Sequence, residues 1–172
     1  MRHILVLNSK GGCGKSTIAT SLAAYYAMRD ERVTLVDYDR QASSLDWLQR
    51  RPENRPPITG VAGFNDGFRP VPRNTEVVVI DAPAGCHGRE LTELVRHAET
   101  IVGPVLPSTI DTVASGKFID ALQEVGKVER REVKLAVVGN RVREVTLIAQ
   151  ELDDYLGKLK MPYVTKLREA QN

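Results

Sequence analysis

Residues 8–17, Asn-Ser-Lys-Gly-Gly-Cys-Gly-Lys-Ser-Thr, gather glycines, two lysines and hydroxyls into one short stretch. Their order matters more than their number. The apolar run Ile4 to Leu7 precedes them, and a segment of helical period with Ile18, Leu22, Tyr25 and Tyr26 follows at once, so the stretch is expected to be strand, glycine loop, helix. Glycines let successive backbone N–H groups wrap an anion, and the opening helix adds its positive end. Gly11, Gly12, Cys13, Gly14, Lys15, Ser16 and Thr17 are therefore expected to cradle nucleotide phosphates, with Lys15 on the terminal phosphates and Ser16 as a magnesium ligand. A plain glycine turn would leave the Lys-Ser pair at the helix start without a reason. Cys13 is read as a small loop residue whose backbone does the binding.

Carboxylates close two other apolar runs. Val33 to Val36 leads into Asp37-Tyr38-Asp39-Arg40-Gln41, and a spacing of two lets both aspartates face one ligand. Such groups can hold magnesium-bound water or orient an attacking water, because phosphoryl transfer is governed mainly by position and charge; the bland alternative is a polar strand cap. Val77 to Ile80 ends in Asp81-Ala82-Pro83-Ala84-Gly85. That is the form of a strand feeding a loop that senses a terminal phosphate, with Asp81 acting through magnesium.

These side chains need a frame. The runs Ile4 to Leu7, Val33 to Val36, Val77 to Ile80, Ile101 to Leu106 and Leu135 to Val138 are short and nearly continuous, as in strands buried on both faces. Between them lie helical stripes such as Leu91, Leu94, Val95, Ala98 and, later, Val145, Ile148, Ala149, Leu152, Leu156, Leu159. Alternation of this kind predicts an α/β fold whose parallel sheet is covered on both sides and takes its ligand at the carboxyl ends of the strands. The segment from Arg51 to Arg73, rich in Pro, Gly and Asn, is expected to be an irregular connection with a short strand near Ile58 to Val61.

Bulk properties narrow the function further. The 172 residues, 42% hydrophobic, suit one domain. With a formal charge of only +2, any polyanion binding must be local. No apolar run approaches the roughly 20 residues of a membrane span, and no signal sequence precedes the first strand, so a cytoplasmic location is expected. Cys13 and Cys86 lack metal-ligand spacing and are read as reduced thiols.

The phosphate loop departs from the usual pattern in having Ser9 where a glycine is common and in carrying Lys10. Lys10 to Ser16 thereby resembles the deviant Walker A motif of the ParA/MinD family, Lys-Gly-Gly-x-Gly-Lys-Ser/Thr. Asp37 to Gln41 is similar to its Asp-x-Asp-Pro-Gln segment, and Asp81 to Gly85 to its Asp-x-Pro-x-Gly segment. The resemblance runs from Arg2 to about Arg168. It implies a P-loop NTPase-like three-layer sandwich with a mostly parallel central sheet, a single ATPase domain over residues 1–172, and ATP with Mg2+ as ligands. It further implies that Lys10 reaches across a homodimer to the partner's nucleotide, that Asp39 positions the hydrolytic water, that Ser16, Asp37 and Asp81 serve the magnesium site, and that Asn140 reads adenine. Arg40 stands where the family has proline, which leaves that backbone less constrained. Family members continue into another helix past the point where this chain ends, at Asn172.

Within the family, Gln41 to Trp47 looks most like the small cargo-positioning proteins, including those that distribute carboxysomes. The implied function is a switch that binds ATP, dimerises, binds nonspecific DNA, and is reset by a cargo-bound protein that stimulates hydrolysis; a nucleoid-associated location follows. The segment from Lys127 to Asn172 holds ten Lys or Arg against seven Asp or Glu, and Lys158, Lys160, Lys166 and Arg168 are the candidate phosphate contacts. Three alternatives stand beside it. A MinD-like membrane regulator needs a basic amphipathic terminal helix, which Tyr163 to Asn172 does not offer. A ligase of the dethiobiotin synthetase type needs a substrate pocket not evident in the sequence. An iron–sulfur reductase needs two cysteines per subunit, and Cys13 lies in the phosphate loop.

Overall fold

The computed structural model describes residues 1–64, 71–143, 146–158 and 162–169. Among the described residues, seven strands form one sheet in the order β3-β2-β4-β1-β5-β6-β7. They are β1 (Arg2–Val6), β2 (Val33–Asp37), β3 (Ile58–Ala62), β4 (Val77–Asp81), β5 (Thr100–Val105), β6 (Lys134–Val142) and β7 (Tyr163–Arg168). Every neighbouring pair is parallel, so the sheet goes beyond the mostly parallel expectation. The connections carry α1 (Lys15–Ala27), α2 (Ser43–Gln49), α3 (Gly88–His97), α4 (Thr109–Gln123), α5 (Gly126–Glu129) and α6 (Leu147–Lys158).

Side-chain alternation along the strands sorts the core into two faces. Ile4, Val6, Val77 and Val79 pack with Ile18, Ala19 and Ala23 of α1, whereas Leu5, Leu7, Val78 and Ile80 pack with Leu91, Leu94 and Val95 of α3 and Phe118 and Leu122 of α4. Val105 and Val137 continue the second face against Ala149, Leu152 and Leu156 of α6. Three layers result. The central strands β2 and β4 are buried along their whole length, which is why their sequences are unbroken apolar runs up to the terminal aspartate.

Register then sets the site. Val6 lies opposite Asp81 across β1 and β4, and Asp37 lies opposite Asp81 across β2 and β4. The ends of three adjacent strands are level, so the loop after β1 and both carboxylates emerge side by side. Since β1 stands between β4 and β5 while the chain leaves it for β2, this is the reversal in strand order where α/β sheets open a crevice. Val145, Leu159 and Lys160 fall outside the described residues; of the rest of the α6 stripe, Ala149, Leu152 and Leu156 are buried, whereas Ile148 is 48% exposed and does not join the core. Tyr163–Arg168 is an edge strand rather than a helix. No helix among the described residues is long and apolar enough to cross a membrane.

Candidate functional site

The loop from Asn8 to Gly14 turns on two left-handed glycines, Gly12 at φ 75° and Gly14 at φ 95°. A side chain at Gly14 would be strained twice over, because its Cβ would also lie 2.2 Å from the Asn140 amide nitrogen. Gly14 caps α1 without any side-chain bond to the first-turn N–H groups, and that turn carries no acidic residue. The helix thus presents unsatisfied donors and an uncompensated positive end to the loop, which is the arrangement an anion needs. Lys15 is 7% exposed, and its ammonium donates to the Lys10 carbonyl at 3.0 Å. The Cys13 thiol donates to the same carbonyl at 3.2 Å, and burial makes it a packed loop residue.

Two asparagines hold the loop from outside. Asn8 accepts the Lys10 N–H at 3.1 Å and donates to the Pro104 carbonyl at 2.6 Å and to the Ser115 hydroxyl at 3.2 Å. It joins the loop to β5 and α4, a role that its position after Leu7 did not announce. Asn140, on β6, donates to the Cys13 carbonyl at 2.8 Å. The residue expected to read adenine is therefore seated against the loop itself. The segment after β4 is tied in as well: the Gly85 N–H donates to the Ser9 carbonyl at 2.7 Å.

The carboxylates occupy the neighbouring strand ends. Asp37 is fully buried and spends its oxygens on backbone: Oδ1 accepts the Asp39 N–H at 2.9 Å, and Oδ2 accepts the Ser44 N–H at 3.0 Å, with the Leu45 N–H farther off at 3.4 Å. Any support it gives a cation is accordingly indirect. Burial pushes its carboxyl up to about 6, with the nearby Asp81 adding to the rise and these N–H donors opposing it. A carboxyl raised in this way favours folding while protonated and loses that advantage as pH climbs through about 6. Between pH 7.5 and 5, nucleotide-free protein is expected to gain on the order of 1 kcal/mol relative to Asp37→Asn; parallel urea-unfolding curves for the two proteins would show no such divergence if the ionised carboxylate were fully compensated.

Asp81 is also buried, and burial raises its carboxyl; the Ser44 and Ser16 hydroxyls and then the Lys15 cation pull it back down. Its Oδ2 accepts the Ser44 hydroxyl, while Oδ1 is a buried oxygen without a hydrogen-bond partner. With the Ser16 hydroxyl also beside this carboxylate, that oxygen is open to a water or an ion. Among the described residues no three His, Cys, Asp or Glu side chains converge as a metal site, so a cation held at Ser16 and Asp81 would complete its shell from phosphate oxygens and water, as Mg2+ does. Asp39 is half-buried and its Oδ1 accepts the Gln41 N–H at 3.0 Å. Arg40 is exposed and borders a cleft of about 350 Å³ lined also by Tyr38, Phe64, Glu90 and Leu94. The sharp turn that follows is made by Ala42 at φ 53°.

The structure brings together the loop residues Gly11 to Thr17 with Lys10, Asp37, Asp39, Asp81 and Asn140. The basic candidates lie elsewhere. Lys158 and Arg168 are exposed, Lys166 is paired with Asp153 at 2.6 Å, and Lys160 lies outside the described residues. Arg143 is likewise engaged by Glu169, so the C-terminal excess of positive charge is partly neutralised on the surface.

Known proteins share this construction. The profile of the CobQ/CobB/MinD/ParA nucleotide binding domain, CbiA, matches residues 4–172. A maintenance of carboxysome distribution protein A from Halothiobacillus neapolitanus is 29% identical over 171 residues, covering 94% of this chain and 76% of that protein. Its counterpart from Gloeobacter kilaueensis is 36% identical over 119 residues, covering 64% of this chain. The chain spans about half, 51%, of that second relative. The crystal structure of cobyrinic acid a,c-diamide synthase from Mycobacterium smegmatis with bound ADP and magnesium superposes with a TM-score of 0.78 at 18% identity, over 100% of this chain and 88% of the other. At that identity the likeness speaks for the fold.

Proposed function

Because the chain belongs to the CobQ/CobB/MinD/ParA nucleotide binding domain family, we propose that it is an ATPase switch that binds MgATP between Lys10 and Thr17, dimerises around it, and positions a cargo on nonspecific DNA. One observation carries the reading. The uncapped start of α1, the buried Lys15 and the unpartnered Asp81 Oδ1 converge on one end of the sheet, where they fit the phosphates of a nucleotide and its cation.

The positions support the following division of labour. The N–H groups of Gly11 to Thr17 hold the phosphates, and Lys15 leaves the Lys10 carbonyl for the more strongly charged phosphate oxygens. Ser16 and Asp81 would hold Mg2+, which supplies neutralisation of charge building on those oxygens. Asp39, beyond the end of β2, is placed to orient a water, and Lys10 acts across the dimer. Hydrolysis is the timer, and a cargo-bound partner accelerates it. The relatives named for carboxysome distribution support a cargo-positioning role; the proposed site of action is the cytoplasm, on the nucleoid. Size-exclusion chromatography with ATP, ADP or no nucleotide tests the core of this reading: an ATP-specific dimer supports it, and an elution volume indifferent to nucleotide opposes it.

DNA binding makes a separate prediction. Lys158 and Arg168 are exposed, whereas Lys166 already has Asp153, so the first two are expected to carry most of the effect. A dimer placing two cations per protomer on phosphates should lose about a hundredfold in affinity between about 50 and about 200 mM salt. Anisotropy of a labelled duplex should show binding with ATP and not with ADP, and the Lys158→Ala/Arg168→Ala pair should weaken it more than Lys166→Ala. Binding that ignores the nucleotide would count against the switch.

A further inference from the structure

The chain from Asp37 to Ser44 is pinned at both ends. At one end the Asp37 carboxylate takes the Asp39 N–H, and at the other it takes the Ser44 N–H at 3.0 Å. Ser44 makes a second link, because its hydroxyl donates to Asp81 Oδ2. The side chain is fully buried in the first turn of α2, a helix whose N-cap, Ala42, offers no side-chain cap. α2 is thus anchored by carboxylates from two strands that face each other in register, Asp37 and Asp81, and not by its own sequence.

A hydroxyl has one hydrogen to give. Given to Oδ2, it restrains the rotation of the Asp81 carboxylate and leaves Oδ1, buried and without a hydrogen-bond partner, as the oxygen that would be open to a cation. We propose that Ser44 is a positioning residue: it orients Asp81 toward the Mg2+ of the nucleotide and couples that carboxylate to the loop carrying Asp39. This rests on the MgATP reading above. Groups that orient a metal's direct ligands are worth about ten- to a hundredfold in metal affinity, and the same hydroxyl here sits on the segment that holds the water-positioning aspartate.

The test is binding of a fluorescent ATP analogue, titrated with Mg2+ and repeated in EDTA, for the wild type, Ser44→Ala, Ser44→Cys and Ser44→Thr, with thermal unfolding of each. In Ser44→Ala the half-saturating Mg2+ concentration is expected to rise about tenfold, while affinity in EDTA stays within about twofold. Ser44→Thr, which keeps the hydroxyl, should restore the Mg2+ response. Ser44→Cys, a weak donor of similar size, should fall between and decides the matter if the added methyl of threonine prevents folding. An unchanged Mg2+ requirement in Ser44→Ala, or an equal loss of binding with and without Mg2+, overturns the proposal. Failure of the wild type to bind the analogue under any condition would instead remove the nucleotide reading, and this proposal with it.

Discussion

Replacing Lys15 by alanine is expected to weaken ATP binding by about a hundredfold or more, because roughly 3 kcal/mol of charge-assisted hydrogen bonding leaves the phosphate end of the site. The residue is buried beneath the loop, where its ammonium donates to the Lys10 carbonyl at 3.0 Å and its charge also acts on the Asp81 carboxyl. The carbonyl is a neutral backbone oxygen, so a phosphate competes for the cation with advantage. Lys10→Ala removes a side chain but keeps that carbonyl, as well as the N–H that Asn8 accepts at 3.1 Å. The loop and Lys15 should therefore stay in place. Isothermal titration with ATP is expected to give Lys10→Ala an affinity within about threefold of the wild type, while its ATP-dependent dimer, followed by light scattering, is weakened. Equal loss of ATP binding in the two variants would refute this separation.

The phosphate loop was legible because each of its signals is local: an apolar run, closely spaced glycines and a helix that starts at Lys15. The central strands were legible for a related reason, since burial on both faces leaves a continuous apolar run in β2 and β4. α2 was not. Its apolar face is only Leu45 and Leu48, partly buried over β3 and too short a pattern to announce a helix, and the caps that start it come from Asp37 on another element. Asn8 escaped for the same kind of reason, as its partners lie 96 and 107 residues away. Asp37 shows the limit most clearly. Position and residue type placed it at the cation site, but only the fold shows its oxygens turned to the backbone of Asp39 and Ser44. Asn140 adds a related lesson, because its bond to the Cys13 carbonyl depends on β6 lying near the loop, which no local spacing encodes.

Asp39→Ala is expected to slow ATP turnover by about a hundredfold or more while leaving nucleotide affinity nearly unchanged. Its side chain is half-buried at the mouth of the site, close enough to Asp81 that its charge helps to raise that carboxyl. It makes no bond to the glycine loop; its Oδ1 takes the Gln41 N–H at 3.0 Å, and its own N–H is held by Asp37. Truncation at Cβ keeps the second of these bonds and loses the first, so the turn loosens locally while the phosphate cradle stands. With water no longer oriented and the phosphates still gripped, the ATP-bound dimer should persist, and chromatography in ATP should retain a dimer peak that the wild type loses as it hydrolyses its nucleotide. Asp39→Asn separates the two contributions. Its amide oxygen can still accept the Gln41 N–H, preserving the turn, but it cannot act as a base. Turnover as slow in Asp39→Asn as in Asp39→Ala assigns the effect to the carboxylate, whereas wild-type turnover in either variant would remove Asp39 from the chemistry.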